Sequence, residues 1–300
     1  MIKVKSWISA ARLRTLPLSV SGIIVGTSIA VKQGVFDISI FSLALATTLG
    51  LQILSNFAND YGDGVKGTDN EERVGPQRAL QSGLITHKEM LGGIIITAAI
   101  TLLLAVLLIY AAFGKENLVH TLLFFFLGIG AIAAAIKYTV GKFAYGYRGL
   151  GDLFVFIFFG LVAVYGSYFL YAHEWSWSIL LPSISIGLLS IGVLNLNNMR
   201  DQIPDKKAGK NTLVVKLGAK KAKNYHYSLI LGAMLCLVLF TVITLENMFE
   251  FLYVPFLIFL ILHLKRVVEN ENPILLDPEL KVLALSTFAV SVFFALGQLL

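Results

Sequence analysis

The sequence predicts an all-α, polytopic integral membrane protein with about nine transmembrane helices, and three observations predict it. Of the 300 residues, 57% are hydrophobic and only 14% are charged, against about 25% charged in soluble domains. The mean hydropathy is +0.79. The charges are also segregated, so that long apolar runs alternate with short polar stretches, the pattern of a helical chain that crosses a bilayer repeatedly. Finally, counting nine runs sends nearly every basic residue to one side.

A span needs about 20 apolar residues. The runs are Leu16–Val31, Ile38–Ala58, Leu91–Phe113, Leu118–Val140, Leu150–Tyr171, Ile179–Leu196, Tyr227–Leu245, Phe249–Leu264 and Val282–Leu300, of which the first and eighth are short. Brief connections around 32–37, 114–117 and 246–248 suit antiparallel neighbours. With a cytoplasmic N-terminus, every one of the 24 basic residues except Lys32 and Lys115 lies inside. That asymmetry is the positive-inside rule, and a wrong span count would scramble it. The start MIKVKSW lacks the apolar core and cleavage site of a signal peptide. Cys236 is the single cysteine, so no intramolecular disulfide is possible. The five histidines show no metal-ligand spacing. The net charge of +6 reads as loop orientation rather than nucleic-acid binding.

Two carboxylate clusters stand out. The first, within NFANDYGDGVKGTDNEERVGPQRALQSG (56–83), ends the second apolar run and holds Asp60, Asp63, Asp69, Glu71 and Glu72 among Lys66, Arg73 and Arg78. Asp60 and Asp63 are three apart and share a helical face, where like charges repel. The C-terminal end of a helix is also a poor place for negative charge. A divalent cation would offset both penalties, and carboxylate and amide oxygens are the hard ligands Mg²⁺ prefers. The second cluster, Asn195 to Lys210, follows the sixth run and carries Asn198, Asp201 and Asp205, the two acids four apart. Four spans separate the clusters, so both emerge on the basic face and can converge on one polar chamber. Asn and Asp at membrane depth are costly and usually functional; a pair of solvated loops is the competing reading. Replacing any of the four Asp residues by Asn should relieve repulsion and leave the ligand-free fold unharmed or steadier.

Four carboxylates with Asn partners and surrounding Lys and Arg suit a diphosphate, whose charge grows as it departs. No Ser-His-Asp pattern is visible, and Gly209-Lys210-Asn211-Thr212 lacks the rest of a phosphate-binding P-loop. The apolar half of a substrate would lie among the spans. The aromatic stretches Phe124–Phe126, Phe154–Phe159 and Tyr165–Tyr171 could line that groove and stabilise an allylic cation, although packing and lipid contact are commoner uses of such residues.

Asn59-Asp60-x-x-Asp63 with Arg78-Ala-Leu-x-Ser-Gly, and Asn198-x-x-Asp201-x-x-x-Asp205, resemble the two aspartate-rich motifs of the UbiA-type membrane prenyltransferases. Arg73-Val-Gly-Pro76, Gly146-Tyr-Arg-Gly-Leu-Gly-Asp152 and Asn197-Asn-Met-Arg-Asp201 through Ala208-Gly-Lys-Asn-Thr212 look like the branch that prenylates 1,4-dihydroxy-2-naphthoate on the way to menaquinone. Where the broad family often carries a further acid, this chain has Gly67, with Asp69 two residues on. The resemblance covers nearly the whole chain. It implies a nine-helix fold and Mg²⁺ held, directly or through water, by Asn59, Asp60, Asp63, Asn198, Asp201 and Asp205, with the four acids as the catalytic set. It makes Arg73, Arg78 and Lys210 candidates for the diphosphate. It further implies polyprenyl diphosphate and 1,4-dihydroxy-2-naphthoate as substrates, with loss of diphosphate and CO₂. Tyr138, Lys142 and Asp152, on the same face, could orient the acceptor; interfacial anchoring is their competing role. The expected organisation is one transmembrane domain over 1–300, with cytoplasmic motif loops at 59–90 and 198–226, in a bacterial inner membrane. The rivals are a relative using another acceptor, such as 4-hydroxybenzoate, and a cation-coupled transporter. The span middles carry no Asp, Glu, Lys or Arg, which disfavours transport.

Overall fold

Caps, rather than the edges of the apolar runs, set where the helices of this chain begin and end. In the computed structural model, which describes residues 2–68, 74–75, 77–115 and 117–300, the second span runs Ile38–Lys66. Asp37 starts it, its carboxylate accepting Ser39 N–H (2.6 Å) and Ile40 N–H (3.1 Å). Those backbone donors hold the Asp37 carboxyl below the usual carboxylate range. Gly67, at φ +70°, ends it, the left-handed stop that glycine supplies at least cost. The third span opens with a capping box in which Thr86 Oγ1 accepts from Glu89 N–H (3.3 Å) and Glu89 Oε2 accepts from Thr86 N–H (3.0 Å).

Among the described residues every regular element is helical. Nine helices among the described residues are long and apolar enough to cross a membrane: Lys3–Lys32, Ile38–Lys66, His87–Phe113, Leu118–Lys137, Gly151–Ala172, Trp177–Arg200, Ala219–Thr244, Met248–Glu269 and Pro273–Leu299. The count agrees with the sequence reading and the chain is a multi-pass membrane protein, but the boundaries move outward. Asn59–Lys66 is helix, not loop, so the first expected motif loop starts only after Lys66. The second is likewise interrupted by a helix at Gln202–Lys207, another at Leu213–Leu217, and the first two turns of the seventh span. Hydropathy stops at the first charge, whereas the backbone ladder continues into water until a cap ends it.

The first span is broken. Helix Ile2–Ala11 ends at Arg12, whose φ of 50° is left-handed, and a short 3₁₀ turn, Leu13–Thr15, leads into Leu16–Lys32. A non-glycine residue rarely takes this conformation. Asn56 of the second span compensates by donating its amide to the freed Ala11 carbonyl at 2.9 Å.

The first, sixth and ninth spans are the most enclosed and the fourth the least. The ninth packs on the first, the seventh on the sixth, and the fifth lies against both the first and sixth. A Cβ at Gly26 would stand 2.2 Å from the Val164 carbonyl oxygen, and one at Gly22 would stand 2.6 Å from the Ala163 Cβ. Gly22-x-x-x-Gly26 thus lets the first span touch the backbone of the fifth, where Phe156–Gly166 is π-helical. Hydroxyls inside the enclosed spans bond back one turn, as Ser190 does to the Ile186 carbonyl (2.8 Å) and Ser291 to the Thr287 carbonyl (2.9 Å), because lipid offers them no partner. Two of the scattered histidines meet: His226 Nε2 and His263 Nε2 are 2.9 Å apart, and His263 Nδ1 lies 2.6 Å from Glu279, which also accepts from Arg266 at 2.5 Å. This buried chain ties the last three spans together.

Candidate active site

The two carboxylate clusters come together at one end of the bundle, but each acid has its own partner. Asp60 pairs with Arg12 and lies 3.5 Å from Arg78 Nε. Asp63 accepts from the Tyr147 hydroxyl at 2.7 Å through one oxygen and turns the other towards Lys210 Nζ, 3.9 Å away. Asp205, on the short helix after the sixth span, is 3.8 Å from the same Nζ. Lys210 therefore bridges the two motifs. Burial works against its ammonium, yet Asp63 and Asp205 outweigh burial and hold its pKa above the ordinary lysine value. Asp201 is taken bidentately by Arg200 (2.8 and 2.6 Å), which also bonds Asn197 (2.9 Å) and pairs with Asp277 at the start of the ninth span.

Gly62 shows why the first motif sits where it does. A Cβ there would fall 2.4 Å from Thr139 Oγ1 and 2.7 Å from the Thr139 backbone carbon. Only glycine lets the second span lie directly on the fourth-to-fifth junction. Thr139 Oγ1 then donates to the Ala58 carbonyl (2.9 Å) and to Asn59 Oδ1 (3.3 Å), and Tyr138 faces the cavity. Burial, followed by Asp152 and Asp63, raises the Tyr138 pKa, so the phenol stays protonated.

The cavity is about 420 Å³ and has a polar end lined by Arg12, Asn59, Asp63, Arg78, Asn197, Arg200 and Lys210. It follows the second span from Ala44 to Asp63, about 28 Å at 1.5 Å per residue, close to the hydrocarbon thickness of a bilayer. Phe124, Phe154, Phe158 and Phe159 line it as the aromatic reading expected, together with Tyr145. Phe126 instead faces outward at 67% exposure, and Tyr168 is fully buried in the core.

Of the acceptor trio, only Tyr138 reaches the cavity. Lys142 is exposed beyond the left-handed Gly141 (φ +90°), which turns the chain into water. Asp152 is buried between spans, accepting from Tyr225 at 3.1 Å. Asn198 is buried beside Asp201. Arg73 and Asp69 lie outside the described residues. Sequence reasoning missed Arg12, Arg14, Tyr145, Tyr147, Arg200, Asp277 and Lys281. Arg12 and Arg14 were visible only as inside charges, and nothing local marks Arg12 as left-handed. Arg200 was adjacent to the second motif but passed as another basic residue.

Residues 19–274 match the UbiA prenyltransferase family. The chain is 41% identical over 295 residues to the 1,4-dihydroxy-2-naphthoate octaprenyltransferase of Escherichia coli K12, covering 98% of this chain and 95% of that one. It is 44% identical over 301 residues to the enzyme of the same name from Haemophilus influenzae, covering 99% and 97%. Its fold is similar to that of an apo UbiA homolog from Aeropyrum pernix K1 (TM-score 0.69, 18% identity, 95% of this chain and 97% of that one). It is also similar to a UbiA homolog from Archaeoglobus fulgidus bound to DMAPP and Mg²⁺ (TM-score 0.60, 18% identity, 94% and 98%). By sequence match, near-complete relatives and fold, the chain belongs to the UbiA prenyltransferase family.

Proposed function

We propose that this chain transfers a polyprenyl group from polyprenyl diphosphate to 1,4-dihydroxy-2-naphthoate, releasing diphosphate and CO₂ and giving demethylmenaquinol for menaquinone biosynthesis. One observation carries the reaction type: Lys210 stands between Asp63 and Asp205 at the polar end of a long apolar cavity. Ionisation of an allylic diphosphate needs charged groups at one end of the substrate and a dry, apolar channel for its tail. The acceptor assignment rests on the relatives, whose names carry 1,4-dihydroxy-2-naphthoate across nearly the full chain.

The donors fit Mg²⁺. Among the described residues no three His, Cys, Asp or Glu side chains form a ready cage, but Mg²⁺ is usually held by one or two carboxylates, completed by substrate phosphate and water. Asp63 with Asn59, and Asp205 with Asp201 and Asn198, offer hard oxygens of that kind, and Asp60 would join them if Arg12 and Arg78 turned to phosphate. Bound there, Mg²⁺ supplies Lewis-acid neutralisation of the departing diphosphate. Arg12, Arg78 and Lys210 add donors that strengthen as charge develops on the leaving oxygen. Tyr138, Tyr145 and Phe154 present rings to the cavity, suited to an allylic cation. The naphthalene ring provides the electron pair of the new C–C bond. Loss of CO₂ from the carboxylate balances the cation, so the ring has no net gain or loss of a proton, and the C–O bond electrons leave with the diphosphate.

We place the site and the N-terminus at the cytoplasmic face of a bacterial inner membrane, within a single transmembrane domain. The distribution of basic residues supports this, and Lys32, one of two on the other side, is paired there with Glu250 at 3.0 Å. The deciding experiment incubates membranes holding the chain with Mg²⁺, a polyprenyl diphosphate and either 1,4-dihydroxy-2-naphthoate or 4-hydroxybenzoate, and reads product mass. A prenylated, decarboxylated naphthalene is the expected product. Prenylated hydroxybenzoate alone would overturn the acceptor, and no product with either would overturn the transferase reading.

A further inference from the structure

The turn between the fourth and fifth spans, Tyr145–Arg148, touches both aspartate motifs, and a single side chain makes most of the contact. The Tyr147 hydroxyl lies 2.7 Å from Asp63 Oδ1 and 2.6 Å from Thr68 Oγ1. A carboxylate can only accept, so the phenol donates its one proton to Asp63 and accepts from Thr68. Lys66 Nζ sits 3.8 Å from the centre of the ring, and Lys210 Nζ sits 5.4 Å from it, both within cation–π reach. The Tyr147 carbonyl accepts from Asn211 N–H at 3.1 Å, and the next carbonyl, Arg148, accepts from Lys216 Nζ at 2.6 Å. Gly149 completes the clasp: at φ +79°, a Cβ there would lie 2.9 Å from Lys216 Nζ and 3.1 Å from the Asn211 carbonyl oxygen.

We propose that Tyr147 is a positioning residue for the transfer reaction: its hydroxyl fixes the rotamer of Asp63 while its ring and backbone hold the second-motif loop, with Lys210, against the first motif. This rests on the transferase reading above. Asp63 spends one oxygen on Tyr147 and keeps the other towards Lys210 and the cavity. Without the hydroxyl, both oxygens are free to rotate, and the two halves of the diphosphate site are no longer held in register. Tyr147 lies off the cavity lining, so it acts through Asp63 and Lys210 rather than on substrate.

The test compares Tyr147→Phe, Tyr147→Leu and wild type, with Tyr225→Phe as a control that removes a half-buried tyrosine hydroxyl bonded to Asp152 and off the cavity lining. Tyr147→Phe keeps the ring and its cations. Its KM for polyprenyl diphosphate should rise about tenfold, the worth of one hydrogen bond to a charged group, with kcat within about threefold, since the contact serves ground and transition states alike. Binding is read separately by titrating purified protein with Mn²⁺ and inorganic diphosphate and counting free Mn²⁺ by electron paramagnetic resonance. Tyr147→Phe should bind about tenfold more weakly while its ligand-free Tm falls no further than that of Tyr225→Phe, which loses an equivalent hydrogen bond to Asp152. Tyr147→Leu should lower ligand-free Tm as well, and Tyr225→Phe should leave KM and Mn²⁺ binding unchanged. Wild-type KM and Mn²⁺ affinity in Tyr147→Phe would overturn the positioning role, as would an equal loss in Tyr225→Phe. A wild type that neither turns over nor binds Mn²⁺-diphosphate would overturn the transferase reading, and this role with it.

Discussion

Replacing Lys210 by Met removes one charge from the point where the two motifs meet and keeps most of the side-chain volume. Lys210 Nζ is 3.9 Å from Asp63 and 3.8 Å from Asp205, and its side chain is only 10% exposed. At an effective dielectric of about 20, each separation corresponds to a gross attraction of about 4 kcal/mol. Desolvation cancels much of that, but removing one partner of a buried pair typically costs about 3–5 kcal/mol, because the other charge is left uncompensated. Lys210→Met should therefore destabilise the ligand-free protein by about 3 kcal/mol, read as a lower Tm by tryptophan fluorescence in detergent. Mg²⁺ should raise the Tm of the variant more than that of wild type, since a divalent cation between the same carboxylates replaces the missing charge. Turnover should fall about 10²-fold or more through loss of a donor to the leaving diphosphate. The pH dependence has a defined sign. The folded pKa of Lys210 is raised, so its contribution is complete below the ordinary lysine pKa of about 10.4 and fades as pH climbs through the raised value. The stability gap between wild type and variant should stay constant from pH 7 to about 10 and narrow only above that. A variant as stable as wild type without metal, turning over within twofold, would refute the bridging role.

Chelation should abolish product formation and Mg²⁺ should restore it, because an unneutralised diphosphate is a poor leaving group; turnover undiminished in excess chelator would remove metal from the site. Asp60→Asn should lower ligand-free stability by about 3 kcal/mol, since it removes the carboxylate paired with the part-buried Arg12 guanidinium, and thermal unfolding without metal checks this. In a Cys236→Ser background, cysteines at Lys115 and Glu174 should react with an impermeant reagent from outside the cell, while those at Arg148 and Lys207 should not. Labelling of position 148 from outside would break the assigned topology.

The fold was legible because the bilayer, acting as solvent, allows little but helices long enough to cross it, and hydropathy reports that demand directly. Helix ends were less legible because they depend on caps, and Gly67 and the Thr86–Glu89 box act well outside the apolar runs. The motif acids were visible from spacing alone: three or four residues apart at a span end, twice, on one side of the membrane. The acceptor trio, grouped by membrane side, does not gather at one place. A side does not fix a direction. Gly141 turns Lys142 into water, and Asp152 finds Tyr225 on a span more than 60 residues later. Arg12 enters the site through a left-handed break that is supported by Asn56 from another helix, and no local pattern encodes that.

The same distance between local and tertiary information reverses the expected sign of the carboxylate substitutions. Spacing gave two acids on one helical face, for which repulsion is the dominant local term and removal of charge a relief. In the folded chain, three of the acids are instead matched by cations outside their own helices, Asp60 by Arg12 and Arg78, and Asp63 and Asp205 by Lys210, while Asp201 pairs with its neighbour Arg200. At these separations the attraction of Arg12 and Arg78 for Asp60 outweighs its repulsion by Asp63. On the proposed reaction, a diphosphate accompanied by divalent cations would bring compensated charge, and the carboxylates would take metal as their Arg and Lys partners turn to phosphate. The buried charges would then stay paired as a highly charged headgroup enters at the edge of the bilayer.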